Sequence, residues 1–247
     1  MIASDEYSIL WADLVTLKRR WSRYLITTLI SPLLYLVAFG WGLGRGINLN
    51  GTSYLEFVVP GIIALTAMTA SFNGAGTRLN VDRIYYKSFD ECIMAPIKLH
   101  SLLLGKALIG TVRGTLSSVA FLIVAMLIAP TIHIGPMFLL GLLLTCITFS
   151  FLGVLAALLA KSHEDMGTFS SIILLPMTFL GGTFFSLSQV PLGLKYALYL
   201  LPLTHASLWL RAAALDQSLP WTSFLVLLIF FGAFMEGSMI ALKKISL

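Results

Sequence analysis

Two ionisable residues, Arg113 and Glu236, lie within long apolar segments and are the first candidates for chemistry. Charged side chains inside membrane spans are costly, and they mark paths for ions, protons or substrates. Arg113 follows Lys106 by seven residues and Glu236 precedes Lys243 by seven. At a rise of about 1.5 Å per residue, both would lie about 10 Å inside the same membrane boundary. This matched depth suggests an ion pair between two spans, and the alternative is that each side chain extends separately to the interface.

Sequence motifs for catalysis or metal binding are absent. Lys106 follows a glycine, but it lacks the upstream glycine and the following Ser or Thr of a phosphate-binding loop. His163 precedes a glutamate without the second histidine of a zinc protease, and Cys92 and Cys146 lack metal-ligand spacing. We therefore expect no catalytic residue, no metal and no cofactor bound by the chain itself.

A short polar segment at 88–96 has the features of a binding helix. Ser88 and Glu91 have the spacing of a capping box, and Pro96 would end the helix. Phe89 and Ile93 would share one face, which suits insertion into a groove on a partner protein. The alternative is a short capped helix that only closes a turn. The residues predicted to contact a partner here are Ser88, Phe89, Asp90, Glu91, Ile93 and Pro96.

The segment 179–206 is apolar, yet glycines and prolines interrupt it too often for an ordinary membrane span. Irregular backbone at membrane depth is stable only where protein or a wet cavity satisfies its amide groups. Such a segment is typical of proteins that move material across a bilayer. The residues predicted to shape it are Gly181, Gly182, Phe184, Phe185, Pro191, Tyr196, Pro202 and His205. For His205, anchoring at the membrane interface is the alternative role.

The elements that position these residues are membrane helices. Of the 247 residues, 58% are hydrophobic and only 11% are charged, whereas soluble domains carry about 25% charged residues. A membrane helix needs about 20 mostly uncharged residues. Six segments meet this requirement, at 25–43, 57–76, 107–129, 137–160, 168–185 and 221–242. The sequence therefore predicts an all-α integral membrane protein with six spans.

The distribution of basic residues predicts the orientation. Twelve of the 16 Lys and Arg residues fall on the side of the N-terminus and three on the other, with Arg113 inside a span. The excess of cations marks the cytoplasmic side, so both termini and the 77–106 connection are predicted to be cytoplasmic, and 186–220 to face outward. The net charge of +5 thus reflects topology and does not indicate nucleic-acid binding. Apolar residues at helical spacing within 1–24 predict an amphipathic helix at the interface, or one packed on a partner.

Four segments, at 53–61, 88–96, 179–191 and 201–206, together resemble the permeases of ABC-2-type transporters. The resemblance covers almost the whole chain, and it is closest to the branch of nodulation-factor, polysaccharide and daunorubicin-type drug exporters. It implies a single transmembrane domain over 1–247, with an N-terminal interface helix, a cytoplasmic coupling helix at 88–96 and re-entrant helices between spans five and six.

The resemblance also implies a function and partners. Such permeases pair, usually as homodimers, with separate ATPase subunits that bind ATP and Mg. The expected function is ATP-driven export of an amphipathic or lipid-linked molecule, such as a glycolipid, polysaccharide or drug, across a bacterial inner membrane. The main alternative is a secondary transporter that uses Glu236, although no clear internal repeat supports it. A membrane-embedded enzyme and a channel-like or scaffold protein are the other classes.

Overall fold

The computed structural model describes residues 2–43, 48–49, 52–94, 98–128 and 132–245, and helices dominate them. Helix α1 spans Ile2–Tyr35 and continues as a π-helix over Leu36–Leu43. Two short antiparallel strands follow, β1 at Asn48–Leu49 and β2 at Thr52–Ser53.

Helix α1 is divided by a kink at Arg20, whose φ of −128° and ψ of 20° are not helical. The kink lies within the predicted interface segment 1–24, whose boundary stays a prediction. Trp11 and Trp21 are both more than half exposed, whereas Asp13 and Leu17 are buried against the rest of the molecule. The helix thus has one face on the bundle and one exposed face. Its location at a membrane surface stays a prediction.

A long helical run at the centre of the molecule comprises α2 (Tyr54–Phe72), a π-helix at Asn73–Thr77 and α3 (Arg78–Ile84). The run begins at a capping box, in which the Ser53 backbone N–H donates to Glu56 Oε2 over 2.9 Å. The π-helical turn crosses the later helix at Pro136–Leu159 at very close range. A Cβ added to Gly76 would lie only 2.6 Å from the Gly153 carbonyl oxygen, so this crossing requires glycine.

The rest of the core is built by three long helices. Helix α4 (Ser88–Met94) is short, and it is followed by α5 (Leu99–Ile128) and α6 (Pro136–Leu159). The last helix, α11, spans Trp221–Ile245 and packs mainly on α6. Helices α2, α5 and α6 contact one another, and α2 is buried along almost its whole length.

In the described part of the chain, five helices are long and apolar enough to cross a membrane, at 21–40, 54–84, 99–128, 136–159 and 221–245. The predicted fifth span, 168–185, corresponds instead to α7 (His163–Phe169), a π-helix at Ser170–Leu174 and α8 (Leu175–Leu180). Ser162 caps the start of this run, and Gly181 follows its end. These 18 helical residues extend about 27 Å, slightly less than the roughly 30 Å of a bilayer core.

Two further helices fill much of the predicted outer region 186–220. They are α9 (Leu192–Tyr199) and α10 (Pro202–Ala214), and a short 3₁₀ turn at Leu187–Gln189 precedes them. Helix α10 is mostly buried against α2, α6 and α11. Its Trp209 donates from the indole nitrogen to the Met137 carbonyl over 2.9 Å. Helix α10 therefore belongs to the packed bundle, although it is too short to cross a membrane.

Candidate functional site

A cleft of about 620 Å³, lined by both polar and apolar groups, lies between α1, α2 with its π-helix, α5 and α8. Hydroxyl, amide and aromatic side chains line most of it, together with one cation. The described lining residues with a polar side-chain group are Tyr24, Thr27, Thr28, Ser31, Tyr35, Thr69, Asn73, Thr77, Arg113 and Thr178. Along α2 and its continuation, the lining extends from Leu65 to Thr77. That distance is about 18 Å, more than half of a bilayer core.

Arg113 lies at one end of this cleft. Its side chain rests against Gly74, and its guanidinium carbon is 5.6 Å from the centre of the Tyr24 ring. The Tyr24 hydroxyl donates to the Arg113 carbonyl oxygen over 3.2 Å and accepts a hydrogen bond from Ser117. The Nε atom of Arg113 is buried and has no hydrogen-bond partner in the described part of the chain.

The predicted ion pair between Arg113 and Glu236 is not found among the described residues. Glu236 is exposed on α11. Arg113 points towards α1 and α2, whereas α11 packs mainly on α6. The direction of each side chain around its helix therefore keeps the two residues from pairing, and their equal depth in a membrane stays a prediction.

The end of the bundle at which α3 and α4 lie is hereafter called the basic end. Four charged side chains form a compact cluster near it. Lys106 Nζ lies 2.8 Å from Asp82 Oδ2 and 3.3 Å from Asp13 Oδ2. Arg78 Nε lies 3.3 Å from Asp82 and 3.5 Å from Asp13. Both carboxylates are buried, so this charge cluster (Asp13, Arg78, Asp82 and Lys106) joins α1, α3 and α5 through paired charges.

Arg83 makes a second connection at the basic end. Its Nη1 atom donates to carbonyl oxygens at the end of α6, within 3.0 Å of each, and these belong to Ala157, Leu158 and Ala160. The last carbonyls of a helix have no partner within the helix, and a cation also suits its negative end. Arg83 therefore fixes α3 to the C-terminal end of α6.

The structure corrects the role predicted for Phe89 on α4. Its side chain is only 2% exposed and lies in the core of this chain, where it is unavailable to a partner. The residues around it are Leu79, Leu102, Leu103, Val154, Leu158 and Leu242. Phe89 thus anchors α4 to the bundle.

The other residues predicted on this segment are placed unevenly. The Ser88 hydroxyl donates to the Asp82 carbonyl oxygen over 3.4 Å, and Glu91 is exposed. Met94, the last residue of α4, is 87% exposed. The side chains of Asp90 and Ile93, and all of Pro96, lie outside the described residues.

At the opposite end of the bundle, Arg211 holds the interrupted segment after α8. Its Nε donates to the Phe57 carbonyl over 2.9 Å, and one terminal nitrogen donates to the carbonyls of Gly182 and Thr183 over 2.9 and 3.3 Å. The guanidinium carbon also lies 3.6 Å from the centre of the Phe57 ring. Gly182 has a φ of +66°, which suits glycine. A buried cation therefore satisfies the irregular backbone that the sequence predicts.

The aromatic residues of this segment point in different directions. Phe184 is buried and stacks on Phe39 with ring centres 4.1 Å apart, and its carbonyl accepts a hydrogen bond from the Tyr54 hydroxyl over 2.8 Å. Phe185 is half-buried, and Tyr196 on α9 is 72% exposed. Phe184 therefore fixes the segment against α1 and α2.

Three remaining residues of the predicted outer region have mainly structural surroundings. Pro191 is exposed and immediately precedes α9, and Pro202 is the buried first residue of α10. His205 is 5% exposed, and its Nε2 lies 2.8 Å from the Tyr199 carbonyl oxygen. Neither the cleft nor an interfacial surface includes His205 in this structure.

Sequence reasoning missed the roles of Arg211 and of the charge cluster. Arg211 follows the motif 201–206, and an arginine within so apolar a stretch was the available signal. Arg78 and Asp82 have i,i+4 spacing, which predicts their pairing. Nothing in the sequence indicates that Asp13, which is far away along the chain, joins the same cluster.

Comparisons with known proteins show the family to which the chain belongs. The ABC-2 type transporter family model matches residues 6–215. The chain is 28% identical over 230 residues to the inner membrane transport permease YadH of Escherichia coli (strain K12), covering 91% of this chain and 90% of that protein. It is 27% identical over 210 residues to nodulation protein J of Neorhizobium galegae, covering 79% and 76%. The match to the family model extends over most of the chain, which therefore belongs to the ABC-2 type transporter family.

Proposed function

We propose that this chain is the transmembrane permease subunit of an ATP-driven exporter for an amphipathic or lipid-linked molecule. The observation that carries the proposal is the cleft of mixed polar and apolar character, which runs for about 18 Å along α2 and its π-helix. Ionisable groups at membrane depth, such as Arg113, are costly, and where they occur they mark substrate or ion pathways. Hydroxyl groups on α1, α2 and α8 would contact a polar head group, while the apolar part of the molecule remains in the lipid.

Energy would come from a separate ATPase subunit that binds ATP and Mg, so the chain itself would not be an enzyme. The apolar surface around α4 suits such a partner, because Tyr85, Tyr86 and Met94 are 66%, 68% and 87% exposed next to a buried anchor. Exposed large apolar side chains in one patch mark interaction sites. A displacement of α4 would directly change the surroundings of Lys106, since Lys106 and Phe89 line the same small pocket.

The remaining features of the proposal follow from the family and from the charge pattern. A second copy of the permease would complete the path, as a homodimer. The helical run 163–180 would serve as the fifth of six spans, with the polar first turn of α7 outside the bilayer core. Helices α9 and α10 would be the re-entrant helices, and α1 up to its kink the interface helix. Both termini would be cytoplasmic, in a bacterial inner membrane, which agrees with the relative named as an inner membrane transport permease.

Affinity purification of the tagged chain from its native membranes in mild detergent tests this function. A phosphate-loop ATPase should co-purify in a fixed ratio with the unaltered chain. Met94→Asp places a charge in the apolar patch and should deplete the ATPase, whereas Met94→Leu keeps the patch apolar and should retain it. A solitary oligomer without any ATPase would contradict the proposal and favour the secondary transporter.

A further inference from the structure

We propose that the cleft binds the anionic head group of its substrate, with Arg113 as the central cation and Arg20 and Arg23 at its entrance. The proposal rests on the proposed function and narrows its substrate class. The ligand would be an amphipathic molecule that carries a phosphate or carboxylate group.

A second cavity extends the cleft towards the kink in α1. This cavity has a volume of about 260 Å³ and shares Tyr24, Thr27 and Arg113 with the cleft. Arg20 and Arg23 also line it. The three arginines therefore line two neighbouring cavities, hereafter called the path, and Arg113 lines both of them.

The charges along this path are of one sign. Among the described residues that line the two cavities, none is Asp or Glu. The nearby carboxylates of Asp13 and Asp82 are already paired with Arg78 and Lys106. Arg113 thus has the ring of Tyr24 beside it but no anion of its own among the described residues.

An unpaired guanidinium at this depth favours an anionic ligand for two reasons. The cost of burying a cation falls when an anion binds to it, and planar guanidinium groups match the oxygen atoms of phosphates and carboxylates. The Nε atom of Arg113 is buried without a hydrogen-bond partner among the described residues, so the protein itself leaves this guanidinium incompletely satisfied. A cationic molecule would be repelled along the whole path.

Binding measurements on the purified permease in phosphatidylcholine nanodiscs test the proposal without any ATPase. The probes are fluorescent lysophosphatidate, the uncharged monoacylglycerol that lacks its phosphate, and a quaternary-ammonium analogue, all with the same acyl chain. The unaltered permease should bind the anionic probe at least about tenfold more tightly than either analogue, which is the effect of a charge-assisted hydrogen bond. Equal binding of the three probes, or preference for the cation, would overturn the proposal.

Variants locate the site. Arg113→Gln should abolish the anionic preference and Arg113→Lys should retain part of it. The double variant Arg20→Gln/Arg23→Gln changes only exposed residues, so it keeps the test valid if Arg113→Gln does not fold, and it should weaken the preference severalfold. The control is Arg19→Gln, an exposed neighbour that lines neither cavity, and it should bind like the unaltered chain.

Two further results would overturn the assignment. An unchanged preference in both the Arg113→Gln and the double variant would place the anion elsewhere. Displacement of the probe by millimolar inorganic phosphate would assign the site to a free anion rather than to a head group. Because none of these measurements needs ATP, a missing ATPase partner and a missing anion preference are distinguishable failures.

Discussion

Replacement of Arg211 by leucine removes a side chain that joins α2, α10 and the irregular segment after α8. In the structure its guanidinium donates to the carbonyl oxygens of Phe57, Gly182 and Thr183. Arg211 is 7% exposed, so water has little access to these carbonyls once the donor is lost. We expect Arg211→Leu to destabilise the protein and to loosen residues 181–187 first.

The size of the effect follows from the hydrogen bonds. Two carbonyls lose donors at 2.9 Å, and a buried unsatisfied group costs about 1–3 kcal/mol. The leucine variant recovers part of this cost because it no longer buries a charge. The net loss should be about 2–4 kcal/mol, which corresponds to a melting temperature lower by roughly 5–15 °C for a chain of this size. Arg211→Lys should give an intermediate loss, since an ammonium group cannot reproduce the planar arrangement of donors.

Two assays measure this prediction. Thermal unfolding of the purified protein in detergent gives the overall loss, and hydrogen–deuterium exchange over 181–187 gives the local one. Lys195→Leu is the matched control, because this half-buried cation of α9 donates none of the hydrogen bonds described above. If Arg211→Leu melts with the unaltered protein and exchanges no faster over 181–187, Arg211 does not hold this segment.

Three further perturbations test the basic end of the bundle. Phe89→Ala should lower the free energy of unfolding by about 3–5 kcal/mol, because it empties a core position. Lys106→Met should cost about 3 kcal/mol, since it leaves two buried carboxylates with one cation, and adding Asp82→Asn should recover part of that loss. The pKa of Asp165 is lowered, first by a hydrogen bond from the Lys161 backbone N–H. Its contribution to the start of α7 is therefore present above the unfolded pKa of about 3.9 and is lost as the pH falls through the folded value. Exchange over 163–169 should rise below about pH 4, and Asp165→Asn should remove this pH dependence.

Each of these predictions has a result that would contradict it. Unchanged melting of Phe89→Ala would show that α4 is not anchored in the core. Strictly additive losses for Lys106→Met and Asp82→Asn would mean that the two groups are not coupled. The pH prediction fails if exchange over 163–169 is the same at pH 3 and pH 6.

The sequence predicts where the helices lie better than it predicts which residues their side chains contact. Hydropathy locates the long helices because a bilayer core demands a minimum apolar length, and Gly181 and Gly182 correctly mark the interruption after α8. The direction of a side chain around a helix depends on packing, which has no signal in a single sequence. Arg113 and Glu236 illustrate this point, since their spacing suggests a pair, yet Arg113 lies beside Tyr24 and Glu236 is exposed.

Phe89 and Arg211 show two other limits. An apolar residue on a short amphipathic helix fits a partner's groove or the protein's own core equally well, and only the structure assigns Phe89 to the core. Arg211 is buried without a carboxylate partner among the described residues. Arginine side chains are almost never fully buried unless they are paired, so the sequence gives no reason to expect this. Its partners are backbone carbonyls, freed by an irregular segment whose course the sequence does not reveal.

The most direct test of the account is whether ATP changes access to the cleft. Ser31 lines the cleft and is exposed, so Ser31→Cys in a chain that also carries Cys92→Ser and Cys146→Ala provides one reactive thiol. The measurement is the rate of maleimide labelling in proteoliposomes, with and without the co-purified ATPase. If the chain is an ATP-driven permease subunit, ATP should change this labelling rate severalfold, and only when the ATPase is present. The proposed function would be contradicted if the labelling rate of the complex were the same with and without ATP while that of the permease alone changed with a proton gradient.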